Sequence, residues 1–126
     1  PDLVKIRTNV IKGRLRPEVE HALYRIAQGA ISNALRHGGL QDIPTGEIRV
    51  SLAVEDGVLE LRIEDNGKGF DVDAIEPGYP SAFGLGRMDH WAKTIGTTLE
   101  IESQPKRGTI VSVHVLLGDR RPKSDD

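Results

Sequence analysis

Residues 48–63 read IRVSLAVEDGVLELRI, and this stretch limits the possible folds more than any other. Ile48, Val50, Leu52 and Val54 alternate with polar or small residues, Asp56-Gly57 follows, and Leu59, Leu61 and Ile63 alternate back. A period of two on both sides of Asp-Gly is the pattern of a β-hairpin closed by a two-residue turn, and it is incompatible with a helix. One face of each strand is apolar, so the hairpin requires a second layer to cover it.

The rest of the chain supplies that layer. LVKIRTNV places Val4, Ile6, Thr8 and Val10 on one face of a predicted strand. Pro17 suits the first turn of a helix, with Glu18 and Glu20 beside the positive end of its dipole. From there Val19, Leu23, Ile26, Ala27, Ala30, Ile31, Ala34 and Leu35 recur at steps of three and four, which predicts one amphipathic helix ended by Gly38-Gly39. LQDIPTG reads as a loop. Leu85, Met88, Ala92 and Ile95 mark a second helix stopped by Gly96. TLEIES and TIVSVHVLL read as strands joined by QPKRG. The expected order is β-α-ββ-loop-α-ββ: an α+β fold, a two-layer sandwich whose mixed, mostly antiparallel sheet carries both helices on one face. Residues 1–118 are read as one domain, 70–83 as a mobile loop and 119–126 as a frayed polar tail.

Composition removes several function classes. With no cysteine there is no disulfide framework, Cys-based metal site or thiol nucleophile, which suits a reducing, cytoplasmic setting. A net charge of −2 gives a nucleic-acid partner no support. No apolar run approaches the roughly 20 residues that span a bilayer, and the first residues lack the pattern of a secretory signal. A start at Pro1 suggests a piece of a longer protein.

Four stretches carry chemistry. In EDNGKGF, Gly67 and Gly69 permit close backbone approach and could bare amide N–H groups to a ligand, and ionised Asp65 accepts hydrogen bonds only, as an exocyclic amino donor requires. The same string is also common turn material, closed by an Asx-type bond. In RIAQGAISNALRHG, Asn33 borders the apolar stripe, with Arg36 and His37 one turn on; an amide oxygen there suits Mg²⁺ and Arg36 a phosphate, while the plain alternative is an Asn bonded to backbone and a solvated helix end. In FGLGRMDHW, Gly84, Leu85 and Gly86 open a helix, where unpaired N–H groups and the dipole favour an anion. Gly108-Thr109 precedes the last strand, otherwise a hairpin glycine. Neither the Walker phosphate loop nor the full dinucleotide fingerprint is present.

In order and spacing these four stretches resemble the ATP-binding (Bergerat-type) domain of the GHKL superfamily: gyrase-type ATPases, heat-shock chaperones, histidine kinases and mismatch-repair ATPases. ALYRIAQGAISNALRHG and GLGRMDHWAKTIGTTLEIESQPKRGTIVSV look most like sensor histidine kinases with a short ATP lid, partnered with helix-turn-helix response regulators. The likeness runs over roughly residues 3–117. It implies ATP and Mg²⁺ as ligands, with Asn33 on the metal, Arg36 and His37 by the phosphates, and Asp65 on the adenine amine. Gly67 and Gly69 would then shape the pocket wall, Gly84, Leu85 and Gly86 meet the phosphates, Thr109 lie near the adenine, and residues 70–83 form the lid. It also implies γ-phosphoryl transfer to a histidine on a separate dimerising domain of the parent protein, then to a response regulator; the parent would be membrane-anchored in some members.

Three positions depart from the family pattern. Gly29 stands where a Glu assists as base, Arg87 where glycine is usual, and Trp91 where Arg is common. None of His21, His37, His90 and His114 resembles the phosphoacceptor, so the chain alone is expected to bind nucleotide without phosphorylating itself. Two other readings remain: an anti-sigma factor with serine kinase activity, and a nucleotide-binding domain whose catalysis has lapsed through Gly29.

Overall fold

The computed structural model describes residues 3–10, 15–71 and 84–117. The element order is β1 (Val4–Thr8), α1 (Pro17–His37), a 3₁₀ turn (Leu40–Asp42), β2 (Ile48–Glu55), β3 (Val58–Asp65), α2 (Leu85–Thr94), β4 (Glu100–Ser103) and β5 (Thr109–Leu116). The β2–β3 hairpin forms as its sequence demands: Asp56 and Gly57 take φ of 54° and 78°, the two left-handed conformations of a type I′ turn, and Glu55 pairs with Val58.

The five strands lie in the order β1-β2-β3-β5-β4, with β1 parallel to β2 and every other pair antiparallel. β3 is central. Its residues 59, 61 and 63 face a layer made by both helices, and Leu59, Leu61 and Ile63 pack with Val111, Val113 and Val115 of β5 against Leu23, Ile26, Ala30 and Ala34 of α1 and Met88 and Ala92 of α2. The opposite face of the sheet is polar. On it His114 lies between the carboxylates of Glu60, at 3.0 Å, and Glu100, at 3.3 Å.

The expected two-layer α+β sandwich is therefore the fold, with two local differences. Ile6, placed by its alternation on a buried face, is 72% exposed: it lies on the edge strand β1 and lines a shallow apolar groove shared with α1, whose Tyr24, 61% exposed, flanks it. The segment read as a plain loop after α1 contains a 3₁₀ turn that buries Leu40 in the core. Most of the loop 70–83 and the tail 119–126 lie outside the described residues.

Candidate functional site

β3 ends on Asp65, and alternation puts this residue on the same inward face as Leu59, Leu61 and Ile63. The strand thus delivers a carboxylate into an apolar layer, where it is 9% exposed. Two backbone donors meet it: the Gly67 N–H donates to Oδ1 at 2.8 Å, and the Thr109 N–H donates from the neighbouring strand. Burial nevertheless outweighs both bonds and raises the Asp65 pKa above the ordinary aspartate range, with the nearby Glu64 charge adding a smaller push the same way.

The loop after β3 is pinned from several sides. Asn66 donates to the Thr45 carbonyl and accepts from the Glu47 N–H, both at 2.8 Å, so it ties the loop to the strand entrance opposite. Gly69 has φ of 63°, and a Cβ there would lie 2.2 Å from the Gln104 carbonyl oxygen. Gly108, with φ of 76°, would place a Cβ 2.1 Å from the Asp65 carbonyl oxygen. Only glycine fits where these two loops cross. Ser103 locks the crossing: its Oγ accepts from the Phe70 N–H at 2.9 Å, donates to the Gly108 carbonyl at 2.9 Å and lies 2.8 Å from Thr109 Oγ1. A hydroxyl has one proton, so with Ser103 donating to Gly108 it is Thr109 that donates to Ser103. The Thr109 oxygen is left as an acceptor towards anything else it meets.

Two adjoining cavities open beside this loop. The first, of about 320 Å³, has aliphatic walls from Ala30, Ala34, Ile63, Ile101 and Val111, with Asp65, Thr109, Gly69 and Leu85 also lining it. The second, of about 550 Å³, lies between α1 and the start of α2 and is lined by Arg25, Arg36, Arg87, Gly84 and Trp91. Among the described residues, none of those lining it is Asp or Glu. Asn33, Arg36 and His37 line both cavities and form their common wall. A slot with one buried acceptor thus continues into a pocket with three arginines. Apolar at one end and cationic at the other, this pair of cavities has the chemistry that a base joined to phosphates requires.

Most of the residues expected from sequence meet here, though in different roles. Asn33, Arg36, His37, Asp65, Gly69, Gly84, Leu85 and Thr109 line the cavities. Gly67 does not: its amide, expected to be bared to a ligand, is occupied by the Asp65 carboxylate, which is the Asx-type bond of an ordinary turn. The turn and the pocket coexist, and Gly67 acts by orienting Asp65. Gly86 sits in the first turn of α2 and is not among the described lining residues. Sequence reasoning missed Lys68, which lines the first cavity, and Arg25, which lines the second. A cation between two glycines was a readable signal for Lys68; Arg25 had none, because only the packing of α2 on α1 brings it to the pocket. No group of three or more His, Cys, Asp or Glu side chains among the described residues could hold a metal; the side-chain oxygens lining the cationic cavity are those of Gln28, Ser32 and Asn33, and only Asn33 also lines the first cavity. Mg²⁺ held by one protein oxygen plus phosphates and waters is consistent with that donor set.

Comparisons with known proteins give the chain a family and its fold a set of neighbours. The profile of the family described as histidine kinase-, DNA gyrase B-, and HSP90-like ATPase matches residues 18–119. The sensor protein VraS of Staphylococcus epidermidis is 39% identical over 108 residues, covering 86% of this chain and 29% of that protein. The signal transduction histidine-protein kinase/phosphatase DegS of Bacillus subtilis is 36% identical over 104 residues, 82% of this chain and 26% of that one. The chain spans less than a third of the length of these curated relatives. Among solved structures, the histidine kinase domain of the blue-light-activated kinase of Erythrobacter litoralis EL346 superposes with a TM-score of 0.74 at 21% identity, over 95% of this chain and 54% of that one. That likeness bears on the fold alone. Site and sequence lead to one family: the chain belongs to the histidine kinase-, DNA gyrase B- and HSP90-like ATPases.

Proposed function

We propose that this chain binds ATP with Mg²⁺ and, within its parent protein, presents the γ-phosphoryl group to a histidine on a separate dimerising domain. From that histidine the group passes to a response regulator with a helix-turn-helix DNA-binding output. The observation that carries the reading is the common wall of Asn33, Arg36 and His37 between a slot holding one buried carboxylate and a pocket lined by arginines.

The residues divide the work along the nucleotide. Asp65 accepts from the adenine amine, Thr109 offers a second acceptor nearby, and the aliphatic walls cover the ring faces. Asn33 would hold the metal through its amide oxygen. Arg36 and His37 receive the phosphates where the two cavities meet, and Gly84, Leu85 and Gly86 close on them from the start of α2. The bound metal–nucleotide supplies the transferable phosphoryl group, whose bond to the bridging oxygen breaks as a bond to the histidine nitrogen forms. Such transfer depends mainly on positioning and charge neutralisation, which this chain can provide without a carboxylate at position 29. A cytoplasmic location, without nucleic-acid or membrane contact by this domain, is consistent with the missing cysteines and a net charge of −2.

Calorimetric titration with a non-hydrolysable ATP analogue tests the reading. A hydrogen bond to a charged group contributes about 1.5–3 kcal/mol, so Asp65→Asn should weaken binding by about 10- to 100-fold. Asn33→Ala should abolish the part of the affinity that depends on Mg²⁺. Wild-type binding by both variants would refute the site.

A further inference from the structure

The arginine pocket contains a device that the nucleotide reading leaves unexplained. Arg25 lies on the face of α1 that also carries Gly29, Asn33 and Arg36, successive turns of one stripe. Its guanidinium is held on two sides. Nη1 donates to Gln28 Oε1 at 3.2 Å, and Cζ stands 5.8 Å from the centre of the Trp91 ring, within reach of a cation–π contact. Trp91 is itself braced edge-on by His21, at 4.9 Å, and His90, at 5.4 Å.

The direction of the Arg25 side chain matters. Helical side chains lean towards the N-terminus, but the bond to Gln28 draws this one forward, towards the turn that carries Gly29. Along the axis, Arg25 and Asn33 are about 12 Å apart, and the forward reach of the guanidinium shortens that gap. Gly29 lies in between with Met88 packed against it, and both line the pocket rather than closing it. Among the described residues Arg25 makes no ion pair, and no acid lines the pocket it faces. A fixed, uncompensated cation at the far end of a pocket entered past Asn33 and Arg36 is placed for the last group of a linear polyanion.

We infer that Arg25, held by Trp91 and Gln28, is the anchor for the terminal phosphate, and that it makes the site prefer a nucleoside triphosphate over the diphosphate. The inference rests on the nucleotide-binding reading above. It assigns Trp91 a definite place: the aromatic ring stands where the family commonly has Arg, and it fixes a cation contributed by the facing helix. Arg25 is exposed, so its replacement should leave the fold intact, which a thermal melt verifies.

Affinities for the imido analogue of ATP and for ADP are measured for the wild type, Arg25→Ala, Arg25→Lys and Trp91→Leu. Arg25→Ala should lose about tenfold for the triphosphate and stay within about twofold of wild type for ADP, as expected from loss of one charge-assisted contact. Arg25→Lys should recover part of the loss, and Trp91→Leu should fall between Arg25→Ala and wild type. Trp91 is the single tryptophan of the chain, so its emission reports the same event independently. The triphosphate should change it in the wild type, ADP should not, and Arg25→Ala should erase the difference. An equal loss for both nucleotides, or no loss for either, overturns the assignment of Arg25 and leaves nucleotide binding standing. A wild type that binds neither nucleotide overturns both.

Discussion

Asp65 places two requirements in opposition at one residue. The amine of a purine needs an ionised acceptor, yet the apolar layer around Asp65 disfavours ionisation and raises its pKa above the ordinary value. Folding therefore tightens the hold on this proton. The group's own contribution to stability is greatest below the ordinary aspartate value and falls as pH rises through its raised value. Ligand binding runs in the opposite sense, complete above the raised value and lost as pH falls through it. Carbon NMR of the Asp65 carboxyl in the free protein should show a titration midpoint above the ordinary aspartate range. Affinity for the ATP analogue should begin to decline at that same pH. A carboxyl that titrates at or below the ordinary value would remove the physical basis for treating Asp65 as a buried acceptor.

At the scale of elements, the contact between α1 and α2 shapes the arginine-lined pocket, and Gly29 packs against Met88 within it. A Cβ at this position would lie 2.9 Å from Met88 Cγ and 3.1 Å from its Sδ, and Met88 is almost wholly buried. The position read from sequence as a missing base is thus also a packing position, occupied across the interface by Met88. Two effects compete in Gly29→Ala: alanine gains about 1 kcal/mol in helix propensity, while overpacking a buried contact costs about 1–3 kcal/mol. The clash meets the middle of the Met side chain, so the loss should win, by about 1 kcal/mol net. A double-mutant cycle with Met88→Val checks this, because the pair should be more stable than the sum of the single changes by at least about 1 kcal/mol. Additive denaturation midpoints would show that the helices do not touch there. The same contact explains what the sequence made legible. The hairpin, both helices and the sheet's composition follow from local periods and turn residues, and period two even places Asp65 on the inward face of β3. Gly29 against Met88, Arg25 over Trp91 and the exposure of Ile6 depend on how separate elements meet. No local period encodes that.

For the whole molecule, the fold joins a slot built on the sheet to a cationic pocket built between helices, and on the proposed reading a nucleotide bridges the two layers. A ligand that binds only the folded chain stabilises it by RT ln(1 + [L]/Kd), about 2.7 kcal/mol at a hundredfold excess over Kd. For a chain of 126 residues that amounts to a rise in melting temperature of roughly 10 °C, from about 4 °C for each kcal/mol. The slot's chemistry then predicts which base produces the shift. Asp65 is an acceptor, and Thr109, its proton engaged by Ser103, is a second one. Adenine presents an amine donor to such a pair, whereas guanine presents a carbonyl oxygen at the corresponding ring position and sets acceptor against acceptor. The imido analogue of ATP should therefore raise the melting temperature in full, and the imido analogue of GTP at the same concentration by less than half as much. The phosphates of the two are identical, so any difference arises in the slot at the end of β3. Equal shifts would mean that the phosphate pocket does all the binding and that the buried carboxylate recognises nothing.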